Sequence, residues 1–260
     1  MSQIVSAKDK IVTIRELFLK NKDQIQAALP RHLTVDRMIR VAFTSINLTP
    51  KLLDCTPRSL LGAVIQCAQL GLEPGVLGHV YLIPFKDQVQ IVVGYKGLLK
   101  LARNTRELST IYAHEVYASD MFTYRLGTDP KIEHVPDEKR QSETTPPTHY
   151  YAVARLKDGG VQFEVLSRAK IEAHRDRYSR AAKQGPWVTE FDEMAKKTVL
   201  RRLCKVLPAS IELQTAVVLD ERAEIQLPQE LPDVLGEPDT LGESKPTLDT
   251  LAKPTQETLA

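Results

Sequence analysis

Between Thr56 and Gly97 the spacing of apolar residues changes twice, and this limits the architectures open to the chain. Behind Thr56-Pro57, a capping threonine and a proline at the first helical position, Leu60, Leu61, Val64, Ile65 and Ala68 recur at helical spacing. Gly71 suits the left-handed residue that closes such a helix. From His79 to Phe85 and from Gln88 to Val93 the period becomes two, on either side of Lys86-Asp87, which predicts a β-hairpin. Pro84 cannot donate a ladder hydrogen bond, so its strand lies at an edge or carries a bulge. Gly94-Tyr95-Lys96-Gly97 then leads into a short helix ending near Arg103.

The flanks extend both patterns and predict an α+β fold. Upstream, helices are expected over 10–29, closed by Pro30, and from Thr34 to about Asn47, where Met38, Ile39, Ala42, Phe43 and Ile46 form an apolar stripe. Downstream, strands are expected over 109–117, 150–156 and 161–166, the last two joined through Lys157-Asp-Gly-Gly160 as an antiparallel hairpin. Residues 137–148, polar and carrying Pro146-Pro147, read as a loop. Helices follow over 168–182, 190–207 and 210–225. The expected organisation is a core over 1–227 and a disordered tail over 228–260, where prolines alternate with Thr, Glu and Asp.

The net charge of +2 hides a division. Seven acids against two lysines give residues 228–260 about −5, which leaves about +7 on the body. A moderately basic body favours an anionic partner. Cys55, Cys67 and Cys204 show no metal-ligand spacing, and Cys67 and Cys204 fall in apolar helical patterns that suit buried, reduced thiols. The opening residues form no apolar leader, and no apolar run is long enough to span a membrane, so a cytoplasmic protein is expected.

Candidate chemistry concentrates in two places. Gly94-Tyr95-Lys96-Gly97 joins a strand to a helix start, where backbone N–H groups favour anions, and Lys100 and Arg103 extend the positive surface. The glycines equally suit a tight junction. In the helix from Phe191 to Leu207, Lys197, Arg201 and Lys205 are spaced by four and form a cationic row. The row could track phosphates, or complement the helix dipole with no ligand at all. At about 100° per residue Arg202 falls roughly 20° from Phe191, inside the apolar arc of Phe191, Ala195, Val199, Leu203 and Val206, so it needs a carboxylate or a groove.

Aromatic residues interleave with these cations. Tyr81, Phe85, Tyr95, Tyr112, Tyr117 and Trp187 are candidates for base stacking, each weighed against core packing; Trp187, ahead of the basic helix, has the best claim. No Walker loop or dinucleotide fingerprint is present, so no nucleotide cofactor is expected. The six histidines share no metal-ligand spacing, and no catalytic set stands out. Asp120, Glu133 and His134 remain as candidates for a metal-dependent nuclease site, against a plainer reading as solvated strand ends.

From about Leu29 to Ala223 the chain resembles the RecT-type phage single-strand annealing proteins, relatives of the phage lambda beta protein. The resemblance is carried by Met38-Ile-Arg, Thr49-Pro-Lys-Leu, Leu60 through Gly75, Gly78-His-Val-Tyr-Leu-Ile-Pro-Phe85, Gly94-Tyr-Lys-Gly97 and Leu101-Ala-Arg103. It continues through Tyr151-Ala-Val-Ala-Arg-Leu-Lys-Asp-Gly-Gly160, Pro186-Trp187, Met194-Ala-Lys-Lys-Thr198 and Leu207-Pro208. At Asn104-Thr-Arg-Glu107 the chain departs from the serine-glycine that often follows in the family. The resemblance implies a homo-oligomer, ring or filament, that coats single-stranded DNA and pairs complementary strands in recombination without ATP. It also implies an exonuclease partner encoded alongside, and a host single-strand-binding protein is a possible second one. Under that reading Tyr95, Lys96, Lys100, Arg103, Trp187, Lys197, Arg201, Arg202 and Lys205 are the expected DNA-binding residues, with no catalytic residue.

Overall fold

The computed structural model describes residues 6–139 and 145–232. The expected acidic tail therefore lies outside the described residues beyond Pro232. The architecture is α+β. The N-terminal pattern gives three helices rather than two: α1 (Ala7–Lys20), α2 (Lys22–Ala28) and α3 (Val35–Leu48). The break between α1 and α2 falls at Asn21, whose side-chain amide donates to the Leu17 carbonyl and competes with the helical ladder. A short 3-10 turn (Pro50–Asp54) leads to α4 (Pro57–Leu70).

Helix α4 is the centre of the core. It is apolar almost all round, and eleven of its residues are buried, so it has neighbours on every side. Thr56 caps it by accepting from the Ser59 amide, and Gly71 closes it at φ 65°. Hairpin β1 (Val80–Phe85) and β2 (Gln88–Val93) packs on α4, with Val80, Leu82, Val89, Ile91 and Val93 turned inward. Pro84 pairs with Val89 in this two-stranded sheet, where every strand is an edge.

Helix α5 (Tyr95–Asn104) leaves the hairpin and passes beside β3 (Leu108–Val116), the edge of a three-stranded antiparallel sheet ordered β3-β6-β7, with β6 (His149–Leu156) and β7 (Val161–Ser167). One face of this sheet carries Ile111, Ala113, Tyr150, Ala152, Ala154 and Leu166 into the main core. That face packs against α8 (Phe191–Cys204), which follows α6 (Arg168–Tyr178) and the four-residue α7 (Pro186–Thr189). The other face is capped by a hairpin that the sequence reading missed, β4 (Met121–Arg125) with β5 (Lys131–Val135). Its Phe122 ring stacks on Tyr151 at 5.7 Å, and a second small cluster forms around Val116, Tyr151 and Val153.

Helix α9 (Ile211–Glu224) covers β2 and touches α4, α5 and α8. The chain then stays on the body, past the expected boundary at 228. The Gln229 amide accepts from the Ile91 N–H and donates to the Ile91 carbonyl, at 2.7 and 2.8 Å, taking the place of a strand partner at the β2 edge. Leu231 packs against the core.

The glycines before and within α5 are set by this packing. A Cβ on Gly94 would stand 2.1 Å from the Gly78 carbonyl oxygen, and one on Gly97 would stand 2.2 Å from that of His79. Backbone blocks both positions, and the Gly94 N–H donates to the His79 carbonyl at 2.9 Å. Gly97→Ala is expected to lower stability by about 3 kcal/mol through overpacking, read as a drop in the urea midpoint at unchanged slope.

Candidate nucleic-acid interface

Three of the expected residues meet on α5. Lys96, Lys100 and Arg103 lie at spacings of four and three, one helical face, and line a shallow cleft of about 360 Å³ with His79, Leu99 and Asn104. Lys96 and Arg103 are exposed and have no carboxylate partner among the described residues. Lys100 donates to the Gly71 carbonyl at 2.9 Å, which ties the cleft to the end of α4. Glu73, whose charge acts on His79, is held by Arg37 through both carboxylate oxygens. That contact keeps Glu73 below its usual range despite burial, with Lys100 adding to the effect. His79 is pushed below the ordinary imidazole value, first by burial and then by Lys100 and Lys96, so it stands neutral in the cleft. Its Nδ1 is buried with no hydrogen-bond partner.

His79 and Asn104 were missed in the sequence reading. His79 follows Gly78 directly at the mouth of β1, in register to return beside α5 once the hairpin closes, but no residue pattern announces that return.

The remaining expected residues lie elsewhere. Tyr95 is half-buried against the core, its hydroxyl at the Ala113 backbone. Trp187 is 3% exposed, with its ring 5.7 Å from Phe191, so it anchors α7 rather than facing solvent. Lys197 and Arg201 do not form an open row with Lys205. Lys197 Nζ donates to Asp220 at 2.7 Å, while Arg201 donates to the other Asp220 oxygen at 2.8 Å and also to Glu224. Helix α9 supplies both acids, and the sheet closes the other side of α8.

Arg202, expected inside the apolar arc, points outward and is half-exposed, pairing with Glu164 at 2.8 Å. The arc differs from the expectation because α9 docks on the side of α8 that carries Lys197 and Arg201 and buries them against Asp220 and Glu224. Lys205 is exposed and pairs with Glu221. Val206, counted in the apolar arc, is 66% exposed.

The acids considered for a nuclease are occupied by the fold. Asp120 Oδ1 accepts from the Asp137 N–H at 3.0 Å, and its Oδ2 accepts from the Tyr117 N–H at 2.8 Å and lies 3.1 Å from His134 Nε2. Glu133 pairs with Lys131. Among the described residues no three His, Cys, Asp or Glu side chains gather as a metal site would require. The three cysteines are free and buried, with burial pushing the Cys67 and Cys204 thiols up to about 12.

The cleft thus gathers three cations that have no carboxylate partner among the described residues, an electrostatic surface suited to an anionic ligand. A model of the RecT family matches residues 36–232. The chain is 49% identical over 215 residues to Protein RecT of Escherichia coli (strain K12), covering 79% of this chain and 78% of that one. It is 28% identical over 167 residues to the uncharacterized protein YqaK of Bacillus subtilis (strain 168), covering 64% of this chain and 57% of that protein. The chain belongs to the RecT family, and is a single-strand annealing protein of DNA recombination. Among the described residues no helix is long and apolar enough to cross a membrane.

The buried ion cluster carries two expectations. Arg201→Met leaves Asp220 and Glu224 short of a partner and is expected to cost about 3–5 kcal/mol in urea unfolding. Burial alone would raise the Glu224 carboxyl, but the hydrogen bond with His174 and the Arg201 charge outweigh it and bring it down to about 2. The folded value lies below the ordinary 4.5, so this contribution is complete above pH 4.5 and is lost as pH falls toward 2. The urea midpoint should fall through that window, and more shallowly in Glu224→Gln.

Proposed function

We propose that the α5 cleft grips the phosphate backbone of single-stranded DNA, with Lys96 and Arg103 as mobile cations and Lys100 fixed against Gly71. The observation that carries this is the grouping of three cations on one open cleft, with no carboxylate partner among the described residues. Each phosphate neutralised releases condensed counterions, which drives binding without reference to sequence. Annealing requires that pattern of contact. Protein groups that read base edges would hide the edges the strands must use on each other, so binding through phosphate leaves them free. Neutralised backbones also approach each other with less repulsion.

On this reading the protein acts without catalysis, ATP or a bound cofactor, in the cytoplasm of a bacterial host. Arg202 and Lys205 extend the positive surface only when their partners Glu164 and Glu221 release them, so their contribution is smaller than that of α5. Protomers assemble as a ring or helical filament along the strand, aligning one cleft with the next. An exonuclease encoded alongside supplies the single strand. The acidic segment beyond Pro232 recruits partners, among them a host single-strand-binding protein.

The experiment is a salt titration of oligonucleotide binding. Lys96→Ala and Arg103→Ala should each weaken binding to all sequences alike and reduce the log–log salt slope by about 0.7, the value for one lost single-strand contact. An unchanged slope in both folded variants removes the cleft from the interface. With labelled complementary strands and Mg²⁺, paired strands of full length are expected; shortened strands would point to the nuclease alternative at Asp120 and Glu133.

A further inference from the structure

We propose that Tyr81 is a stacking platform for one base of the bound strand, adjoining the phosphate-binding cleft. The proposal rests on the reading that the cleft holds the DNA backbone. Alternation along β1 turns Val80 and Leu82 into the core and leaves Tyr81 outward, 46% exposed. Isolated outward aromatics on a strand are common, but this ring has a built seat. A Cβ on Gly94 would stand 3.2 Å from Tyr81 Cε2, and one on Gly78 would stand 3.2 Å from the Tyr81 hydroxyl oxygen. The ring thus lies against the backbone of two glycines, and a side chain at either position would crowd it.

The seat adjoins the cleft. The same Cβ on Gly78 would lie 3.7 Å from Cδ of Lys96, so Tyr81 and the Lys96 stem flank one point over that glycine. Lys96 is the exposed cation at the start of α5. A strand whose phosphate is held by Lys96 therefore carries its base toward the exposed side of Tyr81. Every base has a π-face, so stacking there is tolerant of sequence. It also engages the face of the base and leaves the Watson–Crick edge open, which suits a protein whose bound strand must still pair. The seated ring loses little freedom when a base arrives, since two glycines already fix its position.

The test compares a labelled oligothymidylate with a strand of abasic sites of equal length. Tyr81→Ala and Tyr81→Leu should weaken oligothymidylate binding about tenfold, as expected for one lost stacking contact, and leave the abasic strand unaffected. Tyr81→Phe should bind both strands like the unaltered protein. Equal losses on the two strands, no loss on either, or full binding by Tyr81→Leu would each overturn the stacking assignment. So would a change in oligomer size in the absence of DNA, which would make Tyr81 a contact between copies of the chain. Lys96→Ala serves as the second arm: an unchanged salt slope on both strands would overturn the phosphate reading, whatever the result at Tyr81.

Discussion

The enclosed charge cluster between α8 and α9 is the interaction on which the arrangement depends. Lys197 and Arg201 face Asp220 and Glu224 in a site closed to water on nearly every side. Two cations and two carboxylates balance, but only in one register of the two helices, because a slip of one turn would strand a buried charge. With the helices fixed, α9 covers β2 and α5 is held against α8, α9 and the edge of β3. The position of the cleft follows from that wedge.

The cleft is a surface where this packing leaves three cations close together without a carboxylate. Elsewhere on the body several cations meet an acid: Lys196 pairs with Glu115 and Glu193, Arg168 with Glu172, and Arg37 with Glu73. On α5 the first turn carries no acid, and among the described residues no acidic side chain pairs with Lys96 or Arg103. Backbone contacts through Gly94 and Gly97 hold the start of the helix hard against residues 78–79, so the positive surface is fixed in place. A surface fixed in that way suits phosphate binding, where affinity comes from neutralised charge and little shape is read.

Membership of the RecT family and the geometry of the cleft describe one division of labour. On the proposed reading of the cleft, the protein handles what all strands share, charge and the π-faces of bases, and leaves the pairing edges to the strands themselves. Of the cleft's lining residues, Asn104 alone is of a type that commonly reads base edges by a bidentate amide.

Elements whose signals are local were legible in the sequence. The capped helix ending at Gly71, the hairpin over 79–93 and the strands of the three-stranded sheet follow from period and turn chemistry, and the folded chain carries them with small shifts at their ends. The β4–β5 hairpin was not legible, since its strands are short and Met121 and Val135 put apolar residues on the exposed face, which blurs the alternation that marks a half-buried strand. Lys96, Lys100 and Arg103 could be grouped because one short helix carries all three.

The fate of Lys197, Arg201 and Trp187 could not be read in the same way. A cation row looks identical in sequence whether it faces phosphate or carboxylates, and only the docking of α9 supplied Asp220 and Glu224. The sequence by itself determined most of the secondary elements, the resemblance to the family and the basic helix α5 with no acids among its own residues. Tertiary structure decided which cations remain unpaired, because pairing depends on groups far apart along the chain and brought together only by folding.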